Sequence, residues 1–183
     1  MLETIGDIWE HADRGDTIVF TTNGSLTRDR RAVFGRGVAR EAALRFPDLA
    51  DHLGRLLAEQ GSHVFDLGCG IVSFPVEETA WSQPDLRIIA RSVEELRLLA
   101  DRSGWQRVVV PRPGCGGGGL AWKDVRPLLA PWFDDRFTVI CRQPSRLNSA
   151  REPQHPNDLR ENSLHDYRSP CIEHGHVHQA LSP

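Results

Sequence analysis

A run of glycines after an apolar segment constrains this chain more than any other feature. Residues 108–122, VVVPRPGCGGGGLAW, place five glycines in six positions between a β-branched run and the start of a predicted helix. A run of glycines loses much conformational entropy on folding, and other interactions must offset that cost in free energy. Amides without neighbouring Cβ atoms can approach phosphate oxygens closely, and a following helix N-terminus adds a favourable dipole. The apolar flanks therefore favour an anion-binding loop over a flexible surface linker.

The composition changes near residue 142. Residues 143–183 are rich in Pro, Arg, Asn, Ser and His and have few large apolar residues. We therefore predict one folded domain over residues 1–142 and a disordered tail over residues 143–183. The tail contains Cys171, His174, His176 and His178. Their alternating spacing is not that of a standard zinc site, so we predict no metal site there.

Charge and cysteine content narrow the class of protein. The formal net charge is -3, so the chain has no strong nucleic-acid signal and no overall attraction to anionic membranes. The first residues lack the basic and apolar regions of a signal peptide, and no apolar run approaches the ~18 residues of a membrane span. Four cysteines without Cys-x-x-Cys spacing predict reduced thiols. These features predict a cytoplasmic protein without a membrane partner.

Within residues 1–142, strand-like and helix-like patterns alternate. We predict strands at 16–22, 63–67, 71–74, 108–110 and 137–141, and helices at 37–59 (interrupted near Pro47), 84–102 and 122–132. The second and third strands form a hairpin with a glycine-containing turn. This order predicts an α/β fold with helices on both faces of a mixed sheet. Ligands of such sheets bind at the carboxyl ends of the strands.

A second glycine loop follows the first predicted strand. Gly35 and Gly37 directly precede the first predicted helix, so free amides again meet the positive end of a helix. The pattern alone is also compatible with an ordinary turn. Two such loops together would clamp two linked phosphates.

Residues 65–70, FDLGCG, are similar to the first motif of S-adenosylmethionine-dependent methyltransferases. In those enzymes the glycines lead into a helix. Here Gly70 leads into the β-type run IVSFP. The sequence therefore favours a hairpin turn and makes a methyltransferase the less favoured alternative.

The chain resembles the macro domain family of ADP-ribose-binding modules over roughly residues 3–142. The segments that carry this resemblance are GDI at 6–8, VFTTN at 19–23, GRGVA at 35–39 and PRPGCGGGGL at 111–120. They look closest to the subgroup that includes terminal ADP-ribose protein glycohydrolases. The resemblance implies a three-layer α/β/α sandwich with a mixed central sheet. It also implies a cleft for ADP-ribose, free or attached to a macromolecule, and no cofactor.

The resemblance also assigns binding roles to particular residues. Asp7 would accept a hydrogen bond from the adenine amine, with the Ile8 backbone beside it, and Asn23 would hydrogen-bond near the distal ribose. The remaining implied ligand-binding residues are Thr22, Gly35, Gly37, Val38, Ala39, Pro111, Gly114, Cys115, Gly116, Gly117, Gly118 and Gly119. From the residues alone, Asp7 is also compatible with a solvated turn residue, and Asn23 with a turn former before Gly24.

The resemblance does not extend to catalysis. The glycohydrolase subgroup uses a lysine after a central strand and an aspartate two residues past its Gly-Cys-Gly. In this chain residues 75–78 are PVEE, without lysine, and Gly118 occupies the aspartate position. Neither replacement can perform those roles. We predict an ADP-ribose-binding protein with unassigned catalytic residues. The alternative is a hydrolase that removes ADP-ribose from modified targets, with a water that is positioned by Asn23 or activated by Glu77 or Glu78.

Overall fold

The computed structural model describes residues 1–142, and the predicted tail with its cysteine and histidines lies outside them. The described elements are, in chain order, β1 (Leu2–Ile5), α1 (Ile8–Ala12), β2 (Thr17–Asn23), α2 (Val38–Arg45), α3 (Leu49–Gln60), β3 (Phe65–Asp66), β4 (Ile71–Glu77), α4 (Leu86–Ser103), β5 (Val108–Pro111), α5 (Trp122–Leu129) and β6 (Phe137–Cys141). None of these helices is long and apolar enough to cross a bilayer.

The strands form one mixed sheet in the order β1-β6-β5-β2-β4-β3. β3 pairs antiparallel with β4, and the other five strands are parallel. The predicted hairpin is confirmed. Its turn contains Gly68, Cys69 and Gly70, all with positive φ, and it leads into a strand instead of a helix. The FDLGCG segment therefore lacks the helix that a methyltransferase motif requires.

Helices cover both faces of the sheet, so the predicted three-layer α/β/α architecture is confirmed. One core joins α1, α2 and α3 to the sheet through Ile8, Ala39, Ala42, Leu49, Leu53, Leu57, Ile18, Phe20, Val109 and Ile140. The other joins α4 and α5 to the opposite face through Ile89, Val93, Leu96, Ala100, Val125, Leu129, Val19, Val72, Phe74, Val110 and Val139. Side chains alternate along each strand, which is why neighbouring strand residues belong to different cores.

The longest helix shows why the periodic segments were predictable. Its buried residues Ile89, Val93, Leu96 and Ala100 repeat at helical spacing. It begins where the Asp85 side chain accepts a hydrogen bond from the Arg87 amide at 2.7 Å. It ends at Gly104, whose φ of 67° closes the helix in the left-handed conformation.

Two elements near the N-terminus were not predicted. β1 is an edge strand, and its residues are exposed, so it has no alternation of apolar and polar positions. α1 has five residues, too few to display a helical period. Asp7 links the two elements as the N-cap of α1, where its carboxylate accepts a hydrogen bond from the Trp9 amide at 3.0 Å.

Candidate ligand-binding cleft

A cleft of about 840 Å³ lies at the carboxyl ends of the five parallel strands. Its volume falls within the usual range for small-molecule sites, about 300–1,000 Å³. The sequence-predicted residues that line it are Asp7, Ile8, Asn23, Gly35, Gly37, Val38, Ala39, Pro111, Gly114, Cys115, Gly116, Gly117 and Gly118. The fold therefore brings both glycine loops to one site.

Two predicted residues, Thr22 and Gly119, are outside the lining of this cleft. Thr22 is buried, and its neighbours Thr21 and Asn23 line the cleft instead, with a register shift between Thr22 and Asn23. Gly119 closes the glycine loop, because its amide donates to the Gly116 carbonyl at 3.2 Å.

The two glycine loops meet at Arg36. An ideal Cβ built on Gly117 would lie 2.7 Å from the Arg36 Cδ, so this side chain of the first loop packs directly over the second loop. Arg36 also lines the cleft, and no residue in 1–142 hydrogen-bonds to its guanidinium. Gly37, with φ of 64°, is the N-cap of α2 and provides no side-chain cap. A guanidinium and an uncapped helix N-terminus therefore face the same space.

The positions of the second loop differ in whether the structure has room for a side chain. Gly114 has φ of 69°, and its carbonyl accepts a hydrogen bond from the Leu120 amide at 3.0 Å. A Cβ on Gly118 would lie 2.7 Å from the Gly114 carbonyl oxygen and 3.1 Å from Pro84 Cδ. A Cβ on Gly116 would meet nothing within 4 Å. Packing thus requires glycine at positions 114 and 118, whereas Gly116 leaves open space in the cleft.

Asn23 is buried at the end of β2 and holds the first loop. Its Nδ2 donates to the Val33 carbonyl at 3.0 Å, and its Oδ1 accepts from the Ser25 amide at 2.9 Å. These bonds tie Asn23 to both ends of the segment that leads toward Arg36. The amide retains one N–H and one lone pair for a ligand.

Glu77 and Glu78 occupy different surroundings. Glu77 is the last residue of β4, is in register with Asn23 on β2, and lines the cleft. Burial raises the pKa of the Glu77 carboxyl, and the nearby Arg36 charge opposes part of that rise. Glu78 lines a separate depression with Ser62 and other residues, and its carbonyl accepts a hydrogen bond from the Gly24 amide. Of the two candidate glutamates, only Glu77 faces the cleft.

The Asp7 end of the cleft is held by a network that the sequence did not reveal. Trp9 Nε1 donates to Glu41 at 2.7 Å, and Arg142 donates to the same carboxylate at 2.8 Å. Burial raises the pKa of Glu41, but the hydrogen bonds from Arg142 and Trp9 outweigh it, and the net pKa is lowered. Arg142 lines the cleft with Asp7 and adds a cation there.

A second network supports the wall formed by Arg112 and Trp122, which both line the cleft. The Arg112 guanidinium lies 4.9 Å from the centre of the Trp122 ring, a cation–π distance. Glu3 accepts hydrogen bonds from Trp122 Nε1 at 3.0 Å and from Arg126 Nε at 2.7 Å. The Arg126 bond is the largest cause of the lowered pKa of Glu3. Arg112 also forms an ion pair with Glu3 at 3.6 Å, so Glu3 orients both wall residues.

The described residues contain no group of histidine, cysteine or acidic side chains suited to hold a metal ion. Cys115 and Cys141 line the cleft as free thiols. Burial raises the pKa of the Cys115 thiol, which keeps it protonated at neutral pH. The charged side chains that line the cleft are Asp7, Glu77, Arg36, Arg112 and Arg142.

Comparison with known proteins identifies the fold. No protein-family model matches the chain, and a search of curated proteins finds no match. The solved macrodomain of Mycobacterium tuberculosis DarG is similar, with a TM-score of 0.63 and 24% identity over 79% of this chain and 99% of that chain. The macrodomain of Thermus aquaticus DarG has a TM-score of 0.62 and 18% identity over the same shares.

A third similar structure is Thermosipho africanus DarTG in complex with ADP-ribose. It has a TM-score of 0.62 and 17% identity, over 84% of this chain and 44% of that chain. The described part of this chain has the macrodomain fold.

Proposed function

We propose that this chain binds ADP-ribose, free or attached to a macromolecule, in the cleft between its two glycine loops. The observation that carries this proposal is the junction of Arg36 with Gly117, where both loops and the N-terminus of α2 converge. A pyrophosphate needs several N–H donors and positive charge in close proximity. The structure of Thermosipho africanus DarTG in complex with ADP-ribose supports this choice of ligand.

The order of strands suggests the direction in which the ligand lies. Asp7 follows β1 at one edge of the cleft, the glycine loops follow β2 and β5 near its centre, and Glu77 ends β4 on the far side. Four strand steps separate β1 from β4, about 19 Å at ~4.8 Å each. One Asp7 oxygen caps α1, which leaves the other for an exocyclic amine. Adenine would lie beside Asp7, the pyrophosphate at the loops and the distal ribose beside Glu77.

Isothermal titration calorimetry of ADP-ribose into the full chain tests the proposal. Wild type should bind with micromolar or tighter affinity. Gly116→Val should abolish detectable binding without lowering the melting temperature, because the added side chain would enter open cleft space and not the protein core. Gly119→Asn is the matched control. It adds a side chain to the same loop at a left-handed position that asparagine tolerates, outside the cleft lining.

The result that opposes the proposal is equally specific. A folded wild type that gives no heat with ADP-ribose would leave the cleft without this ligand. Equal affinity of wild type and Gly116→Val would show that ADP-ribose binds elsewhere.

A second candidate function, hydrolysis of the bond between ADP-ribose and a modified target, is favoured by the position of Glu77. Glu77 is half-buried and lies in register with Asn23, at the end of the cleft assigned to the distal ribose. Water would attack the anomeric carbon and give its proton to Glu77 as the bond to the target breaks. That proton would then pass to the departing group of the target.

Two single variants separate hydrolysis from binding alone. Glu77→Gln should abolish release of ADP-ribose from an ADP-ribosylated protein and keep affinity for free ADP-ribose. Glu78→Gln, outside the cleft, should leave both unchanged. Because the pKa of Glu77 is raised, wild-type turnover should fall as pH drops through that raised pKa. Turnover that survives Glu77→Gln would exclude this role.

A further inference from the structure

Trp81 is an unusually exposed tryptophan at the edge of the cleft. Its side chain is 84% exposed, the largest exposed fraction of any large hydrophobic residue in 1–142, and it lines the cleft. No ring within that part of the chain stacks on it, and its indole N–H has no hydrogen-bond partner there. Trp122, by contrast, is fixed by Glu3 and Arg112. Trp81 therefore keeps a large apolar surface available at the site.

The loop that carries Trp81 is firmly anchored. The Glu78 carbonyl accepts a hydrogen bond from Gly24, and the Ala80 amide donates to Ser25 Oγ at 3.0 Å. At the far end of the loop, the Asp85 amide donates to the Val76 carbonyl at 2.9 Å.

Within the same loop, the Thr79 amide donates to Ser82 Oγ at 2.8 Å. These bonds fix the backbone on both sides of Trp81, and the loop is joined to the segment that follows Asn23. The loop thus holds an indole in place at the cleft and does not bury it against the protein.

The position of this loop identifies what the indole would cover. The loop connects β4 to α4, so it stands at the same end of the cleft as Glu77 and four strands from Asp7. If adenine lies beside Asp7, the part of the ligand that reaches this end is the distal ribose. One face of a furanose ring carries mainly C–H bonds, and an indole is a flat apolar surface that can cover it.

We propose that Trp81 packs against the distal ribose and makes this chain prefer ADP-ribose to ADP. This inference rests on the proposed function, because it uses the same site and the same direction of the ligand. It assigns the preference to a residue outside both glycine loops. ADP has the adenosine and both phosphates but lacks the distal ribose, so it cannot contact Trp81.

The test compares two ligands on four proteins. ADP-ribose and ADP are titrated into the full-length wild type, Trp81→Ala, Trp81→Phe and Leu44→Ala by calorimetry. Leu44 is 75% exposed and does not line the cleft, so it controls for loss of exposed apolar surface. Trp81→Ala should weaken ADP-ribose about tenfold and leave ADP unchanged. Trp81→Phe should retain most of the preference, because it keeps a flat ring, and Leu44→Ala should resemble wild type.

Each other outcome overturns the inference in a recognisable way. Equal weakening of ADP-ribose and ADP by Trp81→Ala would mean that Trp81 shapes the cleft or contacts the shared part of the ligands. Unchanged affinity for both would mean that the indole does not touch the distal ribose. If wild type binds neither ligand, the proposed function itself fails. Melting temperatures of all variants show whether each one is folded, and Trp81→Gln, which also removes the flat ring, carries the test if Trp81→Ala is not.

Discussion

Adding one methyl group at Gly118 should destabilise the protein, whereas the same change at Gly116 should not. The Cβ of Gly118→Ala would lie 2.7 Å from the Gly114 carbonyl oxygen and 3.1 Å from Pro84 Cδ. The carbonyl cannot move freely, because it accepts the Leu120 amide at 3.0 Å, and the proline ring is rigid. Overpacking of this kind costs about 1–3 kcal/mol.

At Gly116 the same methyl group meets nothing within 4 Å, and the backbone is not in the left-handed region. A Gly→Ala change at such a position restricts the unfolded chain and stabilises the folded state by about 0.4–1 kcal/mol. The two variants should therefore change the free energy of unfolding in opposite directions. Urea denaturation of the full chain, followed by circular dichroism, measures both changes.

A coupled variant tests the cause. If Pro84 is part of the obstacle, Pro84→Ala should recover some of the stability that Gly118→Ala loses, beyond the sum of the single changes. Equal stability of Gly116→Ala and Gly118→Ala would refute the packing assignment. A Gly118→Ala protein as stable as wild type would refute it as well.

Two further predictions concern charge. Arg36→Gln should weaken ADP-ribose about 10- to 100-fold by calorimetry, because it removes a charge-assisted phosphate contact, while Arg40→Gln, exposed on α2 outside the cleft, should have little effect. Equal affinity of Arg36→Gln and Arg40→Gln for ADP-ribose would contradict the role given to Arg36. Hydrogen bonds from Arg136 lower the pKa of Asp134 from 3.8 to about 2. The unfolded chain therefore takes up this proton first as pH falls, and Asp134 loses its stabilising contribution between about pH 4 and pH 2. Urea unfolding at several pH values should show a shallower acid loss in Asp134→Asn, and an unchanged slope would contradict this.

Periodic segments made much of the fold predictable. α4 repeats its buried apolar residues at helical spacing, β5 is a continuous β-branched run, and the hairpin turn has its own glycine signal. β1 had no such signal because an edge strand can leave side chains exposed: Leu2 is 58% and Ile5 65% exposed. β1 is held beside β6 by backbone hydrogen bonds, which cannot be read from the residue types.

The candidate site, like the fold, could be predicted from the sequence only in part. The glycine loops were visible because bare backbone is a local property of the sequence. Trp81 and Arg142 were not, because their positions depend on contacts between distant parts of the chain, such as the bond from Arg142 to Glu41. Arg36 lies between two glycines and Arg112 between two prolines, so the sequence itself places a cation inside each loop. The sequence also does not distinguish one glycine of the run from another. In the structure, a side chain at Gly118 would meet Pro84, whereas one at Gly116 would enter open space.

The position of the ligand in a crystal structure of the full chain with ADP-ribose tests the central claim most directly. We predict the pyrophosphate between the two glycine loops, within hydrogen-bond distance of Arg36 and the amides of α2, with adenine beside Asp7 and the distal ribose beside Glu77 and Trp81. A pyrophosphate bound outside these loops would contradict the account, and a ligand lying in the reverse direction would contradict the roles given to Asp7 and Trp81.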